Sequence, residues 1–144
     1  MLKIISVLGL LVMAAALVGL YLTGNLLSLQ PIAIALQLLA IALMIWARLA
    51  FGGRSFHASA DPTAGGLVTT GPYRYIRHPI YTAACLLGLG GIAAHWSLLS
   101  AGLGVLLFLG GLARMLCEER LVKQTYPEYV EYSKSTKRMI PFVF

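Results

Sequence analysis

IISVLGLLVMAAALVGLYL, residues 4–22, carries no charged side chain and, wound as an α-helix, would be about 28 Å long, close to the hydrocarbon thickness of a bilayer. This length and composition predict a membrane-spanning helix. Lys3 and the small residues Ala14, Ala15 and Ala16 would also suit a signal peptide, but the apolar run is long for one, so a retained helix is expected. The whole chain agrees with a membrane setting. Of its 144 residues 59% are hydrophobic and only 11% charged, too few polar side chains to cover a soluble globule.

Three further apolar runs follow. Residues 32–51 read as a second helix, with Pro31 in its first turn and Trp46 and Arg48 as interface anchors near its end. Residues 79–94 and 97–116 read as a third and a fourth, joined so briefly at His95 and Trp96 that a tight antiparallel hairpin is expected, with Ala84, Gly88, Gly90 and Ala94 allowing close approach. The predicted fold is all-α: a single polytopic membrane domain over 1–144, with spans at about 4–22, 32–51, 79–94 and 97–116. A connector, 52–78, and a tail, 117–144, complete it.

The charges orient these spans. All eleven Lys and Arg lie at the helix ends away from the loop 23–30 and the turn at His95 and Trp96. The positive-inside rule places both termini and the long connector in the cytoplasm, as in a bacterial-type inner membrane. The formal charge of +6 is thereby explained by topology, and nucleic acid is not an expected partner. Cys85 and Cys117 are too few for a disulfide framework and are expected to be reduced. No metal site is expected, because His95 falls on the opposite face from His57 and His78 and no Cys/His pair has ligand spacing.

A connector this long is usually functional, and this one ends in the aromatic and basic run Gly71-Pro72-Tyr73-Arg74-Tyr75-Ile76-Arg77-His78-Pro79-Ile80-Tyr81. Pro79 suits the first position of the third helix, leaving His78 as its capping residue at an end that favours anionic groups. Singly, these side chains read as an aromatic belt and snorkelling cations; together they read as a polar pocket. Glu118 and Glu119 end the fourth span on the same side. They stand either as partners of Arg114 or Arg120 or as acceptors for ribose hydroxyls, an ammonium or a sulfonium. Thr125-Tyr126-Pro127-Glu128 has the pattern of a capping box, which predicts a short helix carrying Tyr126, Tyr129, Val130 and Tyr132. That helix is either interfacial or a lid with Arg138 and Pro141 behind it. Gly88-Leu89-Gly90-Gly91-Ile92-Ala93 fits a dinucleotide-binding pattern, but with no strand before it the glycines read as helix packing.

The stretch from Trp46-Ala47-Arg48 through Gly53-Arg54-Ser55-Phe56, the Arg-His-Pro-x-Tyr element at 77–81, Glu118-Glu119, Tyr129, Tyr132 and Pro141 resembles the integral-membrane methyltransferases typified by isoprenylcysteine carboxyl methyltransferase, with the phospholipid methyltransferases as relatives. The resemblance implies a cofactor, S-adenosylmethionine, held by Tyr73, Arg74, His78, Pro79, Tyr81, Glu118 and Glu119, with Tyr129 and Tyr132 in a tail that closes over it. It further implies a lipid or lipidated acceptor entering from the bilayer, with Gly88 and Gly90 near the cofactor. The family often has Gly where this chain has Ala83. Methyl transfer from a sulfonium is an in-line displacement, so positioning and exclusion of water do most of the work. Arg77, Glu119 and Arg48 are the expected catalytic residues: the arginines, with Arg54, would orient an anionic head group, and Glu118, Glu119 or His78 would deprotonate an amine acceptor. An NADPH-dependent reductase related to sterol reductases and a non-catalytic scaffold are the alternatives, and a homodimer could complete the pocket.

Overall fold

The computed structural model describes residues 1–52 and 66–144. Among the described residues five α-helices follow one another: α1 (Leu2–Leu22), α2 (Pro31–Phe51), α3 (Pro79–Ala94), α4 (Leu98–Thr125) and α5 (Tyr129–Ser135), with a 3-10 turn at Gly71–Arg74 before α3. Among the described residues the one strand-like feature is a parallel bridge between Ile76 and Lys137. Gly53, Arg54, Ser55, Phe56 and His57, singled out from the sequence, lie outside the described residues.

The helix starts follow local chemistry. Proline opens α2 and α3, where its missing N–H costs nothing, and Ser97 caps α4 through a reciprocal pair with Ser100. The predicted capping box at Thr125–Glu128 does not form. Helix α4 runs on to Thr125, whose hydroxyl instead donates to the Leu121 carbonyl, and α5 begins only at Tyr129 without a side-chain cap. Pro127 explains the break, since a helix disfavours the residue before a proline. The doublet Glu118-Glu119 therefore stands on a continuous helix.

Helices α1, α2 and α4 are long and apolar enough to cross a membrane. Helix α3 is equally apolar, but its 16 residues span about 24 Å. Helix α1 packs antiparallel on α4, and α2 on α3. Although α3 and α4 touch, through Gly88 against Leu107 and Gly104 against Ile92, each has its main partner elsewhere. Sequence proximity does not decide this pairing; small residues do. A Cβ on Gly9 would lie 2.7 Å from the Gly110 carbonyl oxygen, and one on Gly110 would lie 2.8 Å from that of Gly9, so α1 and α4 meet backbone to backbone. Gly90 gives α3 the same closeness to α2 at Ala33.

The end away from the basic residues is tied by polar contacts. Gln37 donates to the Leu26 carbonyl, Gln30 donates to that of Ala94, and His95 Nε2 lies 3.3 Å from that of Leu27.

Candidate functional site

At the opposite end, the start of α3 meets the charged last turns of α4 beneath the C-terminal tail. His78 is buried between both carboxylates, its Nε2 3.3 Å from Glu119 Oε1 and its Nδ1 3.8 Å from Glu118 Oε2. Tyr81 stacks on the imidazole, 5.7 Å between ring centres, and donates its hydroxyl hydrogen to Glu118 at 2.6 Å. His78 and the acidic doublet, expected on the same side, are in contact here.

The two carboxylates have different surroundings. Glu119, with 6% of its side chain exposed, receives Arg77 Nε at 3.0 Å and Arg138 Nη2 at 3.1 Å besides His78. Glu118 is 22% exposed and pairs with buried Arg114 at 3.0 Å. Arg114 also donates to the Tyr81 hydroxyl at 2.6 Å and to the Ser6 carbonyl in α1 at 3.3 Å. Ion pairs shielded in this way hold only because each charge is partnered several times over. Glu119 is thus an internal tie between elements, and Glu118 is the more exposed carboxylate.

The tail is fastened from several directions. The Lys137 carbonyl accepts from Arg77 N–H at 2.7 Å, and that of Arg138 from His78 N–H at 2.9 Å. The Arg77 guanidinium donates to the carbonyls of Ser133 and Thr136. Tyr132 donates to the Tyr73 carbonyl at 2.6 Å, and buried Tyr129 packs edge-on against it. Burial raises the pKa of the hydroxyls of Tyr73 and Tyr129 and pushes that of Tyr132 up to about 12, so all three stay neutral donors at physiological pH. Arg138 and the tail cover His78 and Glu119, which are in direct contact beneath them.

The sequence profile of the phospholipid methyltransferase family matches residues 28–129, well over half of the chain. The chain belongs to the phospholipid methyltransferase family. Two curated relatives carry other names. The cobalt-zinc-cadmium resistance protein CzcN of Cupriavidus metallidurans is 30% identical over 118 residues, covering 78% of this chain and 50% of that protein. The nickel-cobalt-cadmium resistance protein NccN of Alcaligenes xylosoxydans xylosoxydans is 30% identical over 99 residues, covering 67% of this chain and 42% of that protein. The chain thus spans half or less of the length of these relatives. No solved structure matches it.

This phospholipid methyltransferase family member brings together most of the residues singled out from its sequence, but not all in the expected roles. Arg77, His78, Pro79, Tyr81, Glu118 and Glu119 form one cluster, with Tyr73, Tyr129 and Tyr132 packed around it. Arg48, in the last turn of α2, lies to the side, where its charge acts on the Tyr73 hydroxyl. Arg74 is exposed. Arg77 is turned inward onto Glu119 and the tail carbonyls, a geometry that positions the site from within. Gly88 and Gly90 pack against Leu107 and α2, which assigns them to helix packing.

Arg114 and Arg138 are central here, although the sequence reading gives them only side roles. The i,i+4 spacing of Arg114 and Glu118 was a usable signal; nothing local announces that Arg138 reaches Glu119. Tyr132→Phe removes one hydrogen bond and is expected to cost about 1 kcal/mol. Faster amide exchange across α5, with exchange in α1 and α2 unchanged, is the measurement that checks it.

Proposed function

We propose that this chain is an S-adenosylmethionine-dependent methyltransferase acting on a lipid-like acceptor at the membrane face that carries its basic residues. In this reading α3 completes a fourth span, and the positive-inside rule makes that face cytoplasmic. The observation that carries the proposal is the meeting of His78, Tyr81, Glu118 and Glu119 in one roofed cluster at the membrane surface, in a chain of this family.

The donor set suits such a cofactor. Its ribose hydroxyls, ammonium and sulfonium call for carboxylate acceptors, and the partly exposed Glu118 is the one best placed to supply them. Bound there, the cofactor would supply an electrophilic methyl group. The chain's own residues do the rest. Arg114 and Tyr81 fix Glu118, Arg77 and His78 fix Glu119, and the tail excludes water. A carboxylate acceptor needs no base; for an amine acceptor, His78 is the group positioned to take the proton.

An apolar cavity of about 200 Å³, lined by Leu17, Ala40, Ile41, Met44, Ile45, Ala83, Ala84 and Leu87, supports a lipid-like acceptor. It begins about half a turn of α3 beyond Tyr81 and lies among α1, α2 and α3, where one hydrocarbon chain could pass. Ala83 forms part of its wall.

Binding of S-adenosylhomocysteine to the protein in nanodiscs is the direct test. Micromolar binding, lost in His78→Ala and unaffected by NADPH, is the expected result, together with transfer of labelled methyl from S-adenosylmethionine to an extractable lipid. Binding of NADPH in place of S-adenosylhomocysteine would overturn it in favour of a reductase. No binding of either, with the protein folded, would leave a scaffold.

A further inference from the structure

Residues 140–143 form an apolar tip whose place is fixed by the pairing of the residues before it. Because the bridge between Ile76 and Lys137 is parallel, the tail runs alongside residues 76–78 in the direction in which they enter α3. The contacts descend in register: Arg77 N–H to the Lys137 carbonyl, His78 N–H to that of Arg138, then the Thr82 hydroxyl, one turn into α3, to that of Met139 at 3.0 Å. The tip thus reaches the first turn of α3, where the Thr82 hydroxyl lies 3.1 Å from the His78 carbonyl and 3.0 Å from that of Met139.

At that level the chain turns sharply. Phe142 takes φ +66°, uncommon for so bulky a residue, while the N–H groups of Met139 and Ile140 donate to the Phe144 carbonyl. The turn brings the Phe144 ring beneath Arg138, 5.6 Å from its guanidinium, and leaves Ile140, Phe142 and Val143 exposed, Phe142 by 89%. Three large apolar side chains within four residues, at the end of the bundle that carries the basic residues and with exposed Lys137 beside them, have the chemistry of an interfacial anchor.

We propose that Ile140, Phe142 and Val143 insert into the headgroup–acyl boundary of the bilayer, and that this holds Arg138 on Glu119, so the roof of the site is fastened to the membrane. The partner is the lipid surface itself. Arg138 stands between the two contacts: its carbonyl belongs to the descending pairing, and its guanidinium touches both Phe144 and Glu119.

The test uses the full chain in nanodiscs with Trp46→Phe, Trp96→Phe and Phe142→Trp, leaving one tryptophan at the tip. Blue-shifted emission, quenched more strongly by lipids brominated near the headgroup end than near the chain end, and the same with one copy per disc, is expected. Water-exposed emission that ignores brominated lipid would overturn the proposal. A blue shift seen only when several copies share a disc would also overturn it, since a second copy would then cover the tip. The coupling is read separately with the triple variant Ile140→Ser, Phe142→Ser, Val143→Ser, which removes only exposed side chains. Trypsin should cut its tail after Lys137 or Arg138 at least about tenfold faster than in the parent protein in the same discs. An unchanged rate would refute the coupling.

Discussion

Replacing Glu119 with alanine is expected to cost about 3–5 kcal/mol of stability and to abolish binding of S-adenosylhomocysteine, the largest effect of any single change at the site. The carboxylate is the common partner of Arg77, His78 and Arg138, which come from the segment before α3, the N-cap of α3 and the tail. Removing it leaves the Arg77 guanidinium, 8% exposed, facing His78 with no acid between them. Arg138, one-third exposed, can turn to water, so its share of the loss is smaller. Glu119→Gln keeps the shape and the acceptor oxygen but not the charge, and should fall between alanine and wild type. Thermal unfolding in nanodiscs and ligand titration on the folded fraction check both effects. Normal binding by folded Glu119→Ala protein would refute the assignment of Glu119 as the tie that builds the site.

The second large effect is expected far from the site. A Cβ on Gly91 would lie 2.2 Å from the Asn25 carbonyl oxygen and 2.3 Å from that of Leu26, both backbone atoms that cannot swing aside. Gly91→Ala must therefore push the loop after α1 off α3 and disturb the neighbouring bonds from Gln37 and His95, at a cost of about 3 kcal/mol. Gly102→Ala, where nothing lies within 4 Å of the added carbon, should be neutral or slightly stabilising. Gly91 is about 18 Å along α3 from Pro79, so whatever Gly91→Ala protein folds should bind S-adenosylhomocysteine with unchanged affinity. Equal stability of the two variants, or lost affinity in folded Gly91→Ala, would contradict this separation of scaffold from site.

Much of this was legible from residue order. Uninterrupted apolar runs leave a chain little choice but helix in a bilayer, so α1, α2 and α3 begin and end within two residues of their expected limits. Pro31 and Pro79 mark helix starts by a steric rule that needs no tertiary context. The end of α4 was less legible. Thr125 and Glu128 satisfy a capping pattern, but an amphipathic extension that packs Glu119 and Cys117 inward carries the helix to Thr125.

What the sequence by itself determined is the apolar helices and that His78 and the acidic doublet lie at the same end of them, because burial in hydrocarbon and backbone satisfaction depend on local composition. Only the tertiary structure decided that α1 pairs with α4 and α2 with α3, that Glu119 is tied to Arg77 and Arg138 while Glu118 is tied to Arg114, and that the tail runs back beside residues 75–78. Those choices rest on glycine contacts and ion pairs between residues up to 108 positions apart, and such contacts leave no periodicity in the chain that makes them.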